Sequence, residues 1–241
     1  MKVAIIFIGT AKYLEFLPDY YKKAEENLFP GVEKQYFVYT DGDLGGDLPD
    51  NITVVPQEHL PFPYITLYRF DIIKRSYHLM GDCTHLLFMD ADTQVVSTVE
   101  FDDVFGVKPL VGVQHPCHAL GMSPHNTGTG AFETNPASLC HVTVNDDTSM
   151  YWQACVWGGV MDHAKKLIDT LDYRVKVDES SGIIAVWHDE SHISKYFIEY
   201  KNMVHTMHPQ YAYPELFSSM LEWEPKIVHL AKNNSDYQVG E

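Results

Sequence analysis

Hydrophobic positions follow two patterns along this chain: short unbroken apolar runs, and helix-spaced positions between them. Residues 2–8 (Lys-Val-Ala-Ile-Ile-Phe-Ile) are almost wholly apolar and end in Gly9-Thr10, as expected of a strand covered on both faces. Over 12–28 the apolar residues recur at helical spacing, with Pro30-Gly31 as the stop. Residues 34–40 predict a second strand, closed by Asp41-Gly42-Asp43-Leu44-Gly45-Gly46-Asp47, and 52–55 predict a short third. An irregular loop over 56–63 leads into a helix over 66–80. Leu86-Leu87-Phe88-Met89 then reads as a buried strand running straight into Asp90-Ala91-Asp92. This β-α-β-β-α-β order predicts an α/β protein with its sheet sandwiched between helices.

The second half is less regular. Residues 111–114 suggest a strand, and 116–136, rich in Gly, Pro, Ser, Thr and Asn, a long loop of the kind that is usually functional or mobile. An apolar stretch over 152–160 ends in Gly158-Gly159. Helices are expected over 161–171 and 188–200, and a late strand over 227–230 precedes a polar tail. With no internal repeat and no interdomain linker, the pattern predicts one domain over 1–241.

Charge narrows the function classes. Seventeen Lys and Arg against 33 Asp and Glu give a net charge of −16, a surface that repels phosphate backbones and excludes a general nucleic-acid binder. A bound nucleotide stays possible, because a local pocket or a divalent metal can reverse the field. Cys83, Cys117, Cys140 and Cys155 show no Cys-x-x-Cys spacing, so neither a zinc knuckle nor a disulfide scaffold is indicated. The apolar run near the start is too short to span a bilayer and lacks a signal-peptide layout. A soluble, cytoplasmic protein is expected.

The Asp90-Ala91-Asp92 triplet sits where a strand ends. In an extended segment residues i and i+2 face one side, so both carboxylates can meet one ion, and oxygen ligands suit Mn²⁺ or Mg²⁺. Three classes use such a pair: a phosphohydrolase, a nucleotide-sugar transferase, and a non-catalytic binder of UDP-sugar or glycan. The dehalogenase-like phosphatase pattern needs Gly-Thr next, and Thr93-Gln94 does not supply it. In Trp187-His188-Asp189-Glu190-Ser191-His192, two histidines four apart share a helix face, but a zinc protease wants Glu where Asp189 stands. Asp189 or Ser191 also reads as a helix cap, and Trp187 as a core residue or a platform for a sugar face.

Together these motifs are familiar. Residues 187–196, from Trp187 to Tyr196, closely resemble the signature of the blood-group A/B transferase and α-1,3-galactosyltransferase family of retaining glycosyltransferases. Met89-Asp90-Ala91-Asp92 resembles its metal-binding triplet, His115-Pro116 its His-Pro, Tyr151-Trp152 through Gly158-Gly159 its central segment, and Lys232-Asn233 its C-terminal Lys-Asn. The likeness covers nearly the whole chain. It points to a microbial or viral-type member without a membrane anchor.

The resemblance implies a GT-A fold, with a mixed, mostly parallel sheet flanked by helices. It implies a catalytic domain over 1–241, with a nucleotide-binding half over about 1–110 and an acceptor-binding half over about 111–241. The implied reaction is retaining transfer of galactose or N-acetylgalactosamine from a UDP-sugar donor to a galactoside-type glycan acceptor, forming an α-1,3 bond. Asp90 and Asp92 would hold Mn²⁺, with Mg²⁺ as the substitute. Phe7, Ile8 and Tyr13 would line the uridine pocket, Arg69 would stand near the donor sugar, and Asp189 would meet the galactose hydroxyls. Gln153-Ala154-Cys155 would form the donor-selecting triplet, and its bulk leans towards UDP-galactose. His115, Trp187 and Glu190 would contact the acceptor, and Lys232 in the tail would reach the diphosphate. Glu190 is the candidate catalytic carboxylate, as nucleophile of a double displacement or as stabiliser of front-face attack. Taken singly, Phe7 and Ile8 read as core, Tyr13 as helix packing, and Arg69 and Lys232 as surface charges.

Overall fold

The structure, a computed structural model, describes residues 1–123 and 132–237. Part of the long loop expected over 116–136 therefore lies outside the described residues, as does the end of the tail, 238–241.

In chain order, β1 is Lys2–Ile8, α1 Leu17–Asn27, β2 Glu33–Thr40, β3 Ile52–Pro56, α2 Tyr64–Leu67 and α3 Arg69–Lys74. Next come β4 His85–Met89, β5 Thr93–Val95, α4 Phe101–Phe105, β6 Leu110–Gln114, α5 Pro116–Ala119, β7 Trp152–Val160 and α6 Met161–Ser180. The chain ends with α7 His188–Glu199, β8 Val204–Met207, β9 Tyr213–Pro214 and β10 Ile227–His229. Seven strands form a sheet in the order β3-β2-β1-β4-β7-β6-β8, and β5-β10-β9 form a small second sheet. In the large sheet only the β4–β7 and β6–β7 pairings are antiparallel. This is the mixed, mostly parallel sheet flanked by helices that the GT-A expectation describes.

The sheet separates two apolar layers. On one side Ala4, Ile6, Leu86 and Phe88 pack with Phe70 and Ile73 of α3, Leu167 and Ile168 of α6, and Ile193 and Phe197 of α7. On the other side Val3, Ile5, Phe7, Leu87 and Met89 meet Leu17, Tyr20 and Ala24 of α1 and Val104 and Phe105 of α4. The alternation along β1 and β4 is the period-two consequence of strand geometry, and it explains why both runs are apolar past their first residue. Gly158 lets β4 and β7 approach: a Cβ there would meet the carbonyl oxygen of Leu86 at 2.0 Å.

Several elements differ from the sequence expectation. The predicted helix over 12–28 begins as a 3-10 segment, Ala11–Phe16, because Pro18 lacks an N–H and sits naturally in the first turn of α1. The helix expected over 66–80 breaks at Tyr68 into α2 and α3, then a 3-10 turn, Tyr77–Leu79. Helix α6 runs nine residues past the predicted Leu171. Its polar second half still buries Asp172, Val175 and Asp178, with Lys74 donating to Asp172 at 3.0 Å. Strands β5 and β8 and helix α4 were not expected. They are three to five residues long; the two strands are held by distant pairings, whereas α4 starts at a local capping box in which the Glu100 N–H donates to Asp103 at 3.1 Å.

Candidate active site

The carboxyl ends of the parallel strands β1 and β4 lie at one edge of the sheet, the usual place for a ligand in open α/β folds. A cavity of about 360 Å³ opens there, walled by Ile8, Thr10, Tyr13, His59, Leu60, Phe62, Ile65, Thr66, Arg69, Phe88, Asp90, Ala91, Asp92, His229, Lys232 and Tyr237. Of the donor residues expected from sequence, Ile8, Tyr13, Arg69, Asp90, Asp92 and Lys232 stand in this wall. Phe7 does not. As the neighbour of Ile8 on a strand it faces the opposite layer, where its ring meets Tyr20 at 4.9 Å. It also backs the Gly9 turn, since a Cβ on Gly9 would meet the Phe7 ring at 2.3 Å.

Arg69 is the hub of the charged floor. Its guanidinium lies 3.2 Å from Asp90 and 3.2 Å from Asp189, donates to the Ala154 carbonyl at 3.2 Å, and covers the Phe88 ring at 4.6 Å. The planar fork reaches these partners together, which an ammonium could not. Burial pushes the Asp90 carboxyl up against the pull of Arg69, and pushes Asp189 up to about 7. Asp92 is different. Its burial is outweighed by His229, whose Nε2 is 3.2 Å away, and by Lys232, whose Nζ donates to the same oxygen, so its carboxyl is held below the usual range. Asp92 is thus paired with both the Lys232 ammonium and the His229 imidazole.

Among the described residues, two hydrogen bonds hold Glu190. Tyr151 donates its hydroxyl to Oε1 at 2.7 Å, and the Ala154 N–H donates to Oε2 at 3.0 Å. Helix α7 supplies Asp189 and Glu190 from its first turn, and β7 supplies the Ala154 contacts to both Arg69 and Glu190. His115 stacks edge-on to Tyr151 at 5.7 Å, so His115, Tyr151 and Glu190 form one connected line. Trp187 is half-buried, and its backbone N–H donates to the Ser191 hydroxyl at 3.0 Å. Gln153, Ala154 and Cys155 lie on β7 behind the floor rather than in the cavity wall. The Cys155 carbonyl accepts from the Asp90 N–H at 2.9 Å, tying the triplet to the carboxylate pair, and burial pushes the Cys155 thiol well up.

Sequence reading missed several wall residues, among them Thr10, His59, Phe62, His229 and Tyr237. The one local signal was a histidine three residues before Lys232, at the end of an otherwise apolar strand. Elsewhere among the described residues, Cys140, Asp178 and His192 bring ligand atoms within 4.8 Å of one another. They are buried away from the cavity, and Asp178 already accepts from Ser138 at 2.5 Å and from the Leu139 N–H at 2.8 Å.

The Glycosyltransferase family 6 model matches residues 1–239. The chain is 26% identical over 218 residues to an O-antigen biosynthesis glycosyltransferase of Escherichia coli, covering 90% of each protein. It is 23% identical over 239 residues to histo-blood group ABO system transferase 2 of Rattus norvegicus, covering 94% of this chain and 66% of the rat protein. It is 25% identical over 255 residues to alpha-1,3-galactosyltransferase 2 of Homo sapiens, covering 97% of this chain and 71% of the human protein. No helix among the described residues is long and apolar enough to cross a membrane. A match over nearly the whole chain agrees with the carboxylate pair at the sheet edge, and the chain belongs to glycosyltransferase family 6, whose members use nucleotide sugars.

Proposed function

We propose that this chain transfers galactose, or N-acetylgalactosamine, from its UDP donor to a galactoside-type glycan with retention, forming an α-1,3 bond. The observation that carries this reading is the joint placement of Asp90 and Asp92 in the cavity wall with Glu190 anchored through Ala154 behind the same floor. In this reading residues up to about 110 bind the nucleotide and those beyond about 111 bind the acceptor.

The residues present fit a divalent cation: two carboxylates at i and i+2, one already matched by a lysine ammonium. Asp90 and Asp92 would hold Mn²⁺, or Mg²⁺, which when bound neutralises the diphosphate and stabilises the departing UDP. Ile8 and Tyr13 would flank the uridine, with Phe7 supporting the turn beneath. Asp189, oriented by Arg69, would accept from the donor sugar's hydroxyls. Lys232, beside Asp92 in the cavity wall, would meet the diphosphate. Tyr237 of the same tail packs on Phe16 at 5.4 Å, a closure that helps exclude water from the donor. Glu190 would act at the anomeric centre, as nucleophile or as stabiliser of developing positive charge, with His115 and Trp187 beside the acceptor. The bulk of Gln153 and Cys155 favours UDP-galactose over the acetamido sugar.

The deciding assay measures UDP release from a panel of UDP-sugars with Mn²⁺ or with EDTA, first alone and then with lactose or fucosylated lactose. Slow donor hydrolysis that needs Mn²⁺, prefers UDP-galactose and accelerates with acceptor is expected. Activity that survives EDTA would remove the metal role of the pair. UDP binding without turnover of any donor would favour a non-catalytic binder of UDP-sugar or glycan, and phosphate release from simple monoesters would favour a phosphohydrolase.

A further inference from the structure

His229 reaches the carboxylate pair by backbone register. Strand β10 pairs antiparallel with β5, placing His229 opposite Thr93, and the Leu230 N–H donates to the Asp92 carbonyl at 2.9 Å. The ladder thus seats a histidine beside the carboxylate pair, on a regular strand rather than on a free loop. One ligand atom from each of Asp90, Asp92 and His229 lies within 4.8 Å of the others, and the His229 ring is partly exposed in the cavity wall. Its Nε2 points at the Asp92 oxygen that also receives Lys232. Two carboxylates at the end of β4 and an imidazole from β10 make three donors of two chemical types facing one point.

We infer that His229 is the third protein ligand of the divalent ion held by Asp90 and Asp92, taking it through Nε2, and that it biases this site towards Mn²⁺ over Mg²⁺. The inference rests on the reading of Asp90 and Asp92 as metal ligands. An all-oxygen pair accepts either ion. A nitrogen donor adds affinity for the transition metal and little for Mg²⁺, which prefers oxygen and water. With His229 and Asp92 engaged, Lys232 gives up the shared oxygen and its ammonium turns towards the cavity. The ion exchanges three of its waters for the two carboxylates and the imidazole, and the Nε2 proton that faces Asp92 leaves to Nδ1 or to solvent, so His229 coordinates as a neutral ring and no redox change accompanies binding.

The test uses the full chain and Mn²⁺ or Mg²⁺ chloride alone, without donor or acceptor. Electron spin-echo modulation of the bound Mn²⁺ should show ¹⁴N coupling from one imidazole in the unaltered protein. His229→Ala and His229→Gln should abolish that coupling. Calorimetry should show both variants binding Mn²⁺ at least about tenfold more weakly, with Mg²⁺ binding changed less than about threefold. Bound Mn²⁺ without ¹⁴N coupling in the unaltered protein would overturn the assignment even if both variants failed to fold. Asp92→Asn separates the two claims. Loss of Mn²⁺ binding in that variant, with no nitrogen signal in the unaltered protein, would leave the carboxylate reading standing and remove His229. Mn²⁺ binding unaffected by Asp92→Asn would overturn both.

Discussion

At the scale of single residues, Glu190 and His192 share one helix and meet opposite fates. Glu190 is tethered by Tyr151 and the Ala154 N–H, so an amide can occupy its place without dislodging the helix. Glu190→Gln is expected to lower turnover by about 10²–10³-fold, the scale of losing one preorganised charge at a reaction centre. UDP affinity by calorimetry should change little, and near-normal turnover would remove Glu190 from the mechanism. His192 is almost fully buried, and neither ring nitrogen has a hydrogen-bond partner among the described residues. Burial lowers its pKa to about 4, helped by Arg174 and opposed by Asp178. The sign follows from proton uptake: below pH 6.5 the unfolded chain gains a proton that the folded chain refuses until about pH 4. Acid therefore costs stability across that window, roughly 3 kcal/mol in all. Urea melts at pH 7 and pH 4.5 should show a shallower acid loss in His192→Gln than in the unaltered protein, and equal losses would sink the idea. The almost wholly apolar run of β1 marks Phe7 and Ile8 as core positions, whereas their opposite facing, Phe7 fully buried and Ile8 only half-buried in the cavity wall, follows only once both layers are present.

At the scale of elements, the junction of β4 and β7 links fold to site. Gly158 allows the two strands to meet, and three residues earlier the Cys155 carbonyl holds the Asp90 N–H. Gly158→Ala places a methyl group against the Leu86 carbonyl, where no flexible side chain can yield. A destabilisation of about 2 kcal/mol or more is expected, read by chemical denaturation, together with weaker Mn²⁺ binding as Asp90 shifts. A variant as stable as the parent would show that the strands separate freely. Gly-Gly at the end of an apolar stretch was visible in the sequence, but the carbonyl it accommodates was not. The short strands β5 and β8 were illegible for a related reason. Three or four residues carry too little periodicity, and only pairing with β10 and β6 makes them strands.

At the scale of the whole molecule, the two sheets meet at the carboxylate pair. The first half brings Asp90 and Asp92 on the end of β4, and the last strand brings His229 and Lys232 back to them. An ion bound there joins distant parts of the chain and should stabilise the entire fold. At Mn²⁺ a hundred times its dissociation constant the gain is about 2.7 kcal/mol, a rise in Tm of about 5–10 °C for a chain of this size. Differential scanning fluorimetry should show that rise, its reversal by EDTA and its absence in Asp92→Asn; a rise that persists in Asp92→Asn would place the ion elsewhere. By itself the sequence determined the α/β class, the buried strands of the first half, the Asp90-Ala91-Asp92 pair at a strand end and the Trp187 to Tyr196 signature. Each is a local pattern of apolar period or residue spacing, readable without knowing what it touches. Tertiary structure alone decided that Arg69 pairs with both Asp90 and Asp189, what anchors Glu190, which face Phe7 takes and that His229 joins the aspartates. Those are contacts between residues far apart in the chain, and they exist only because the sheet order and the β5–β10 register bring their backbones together.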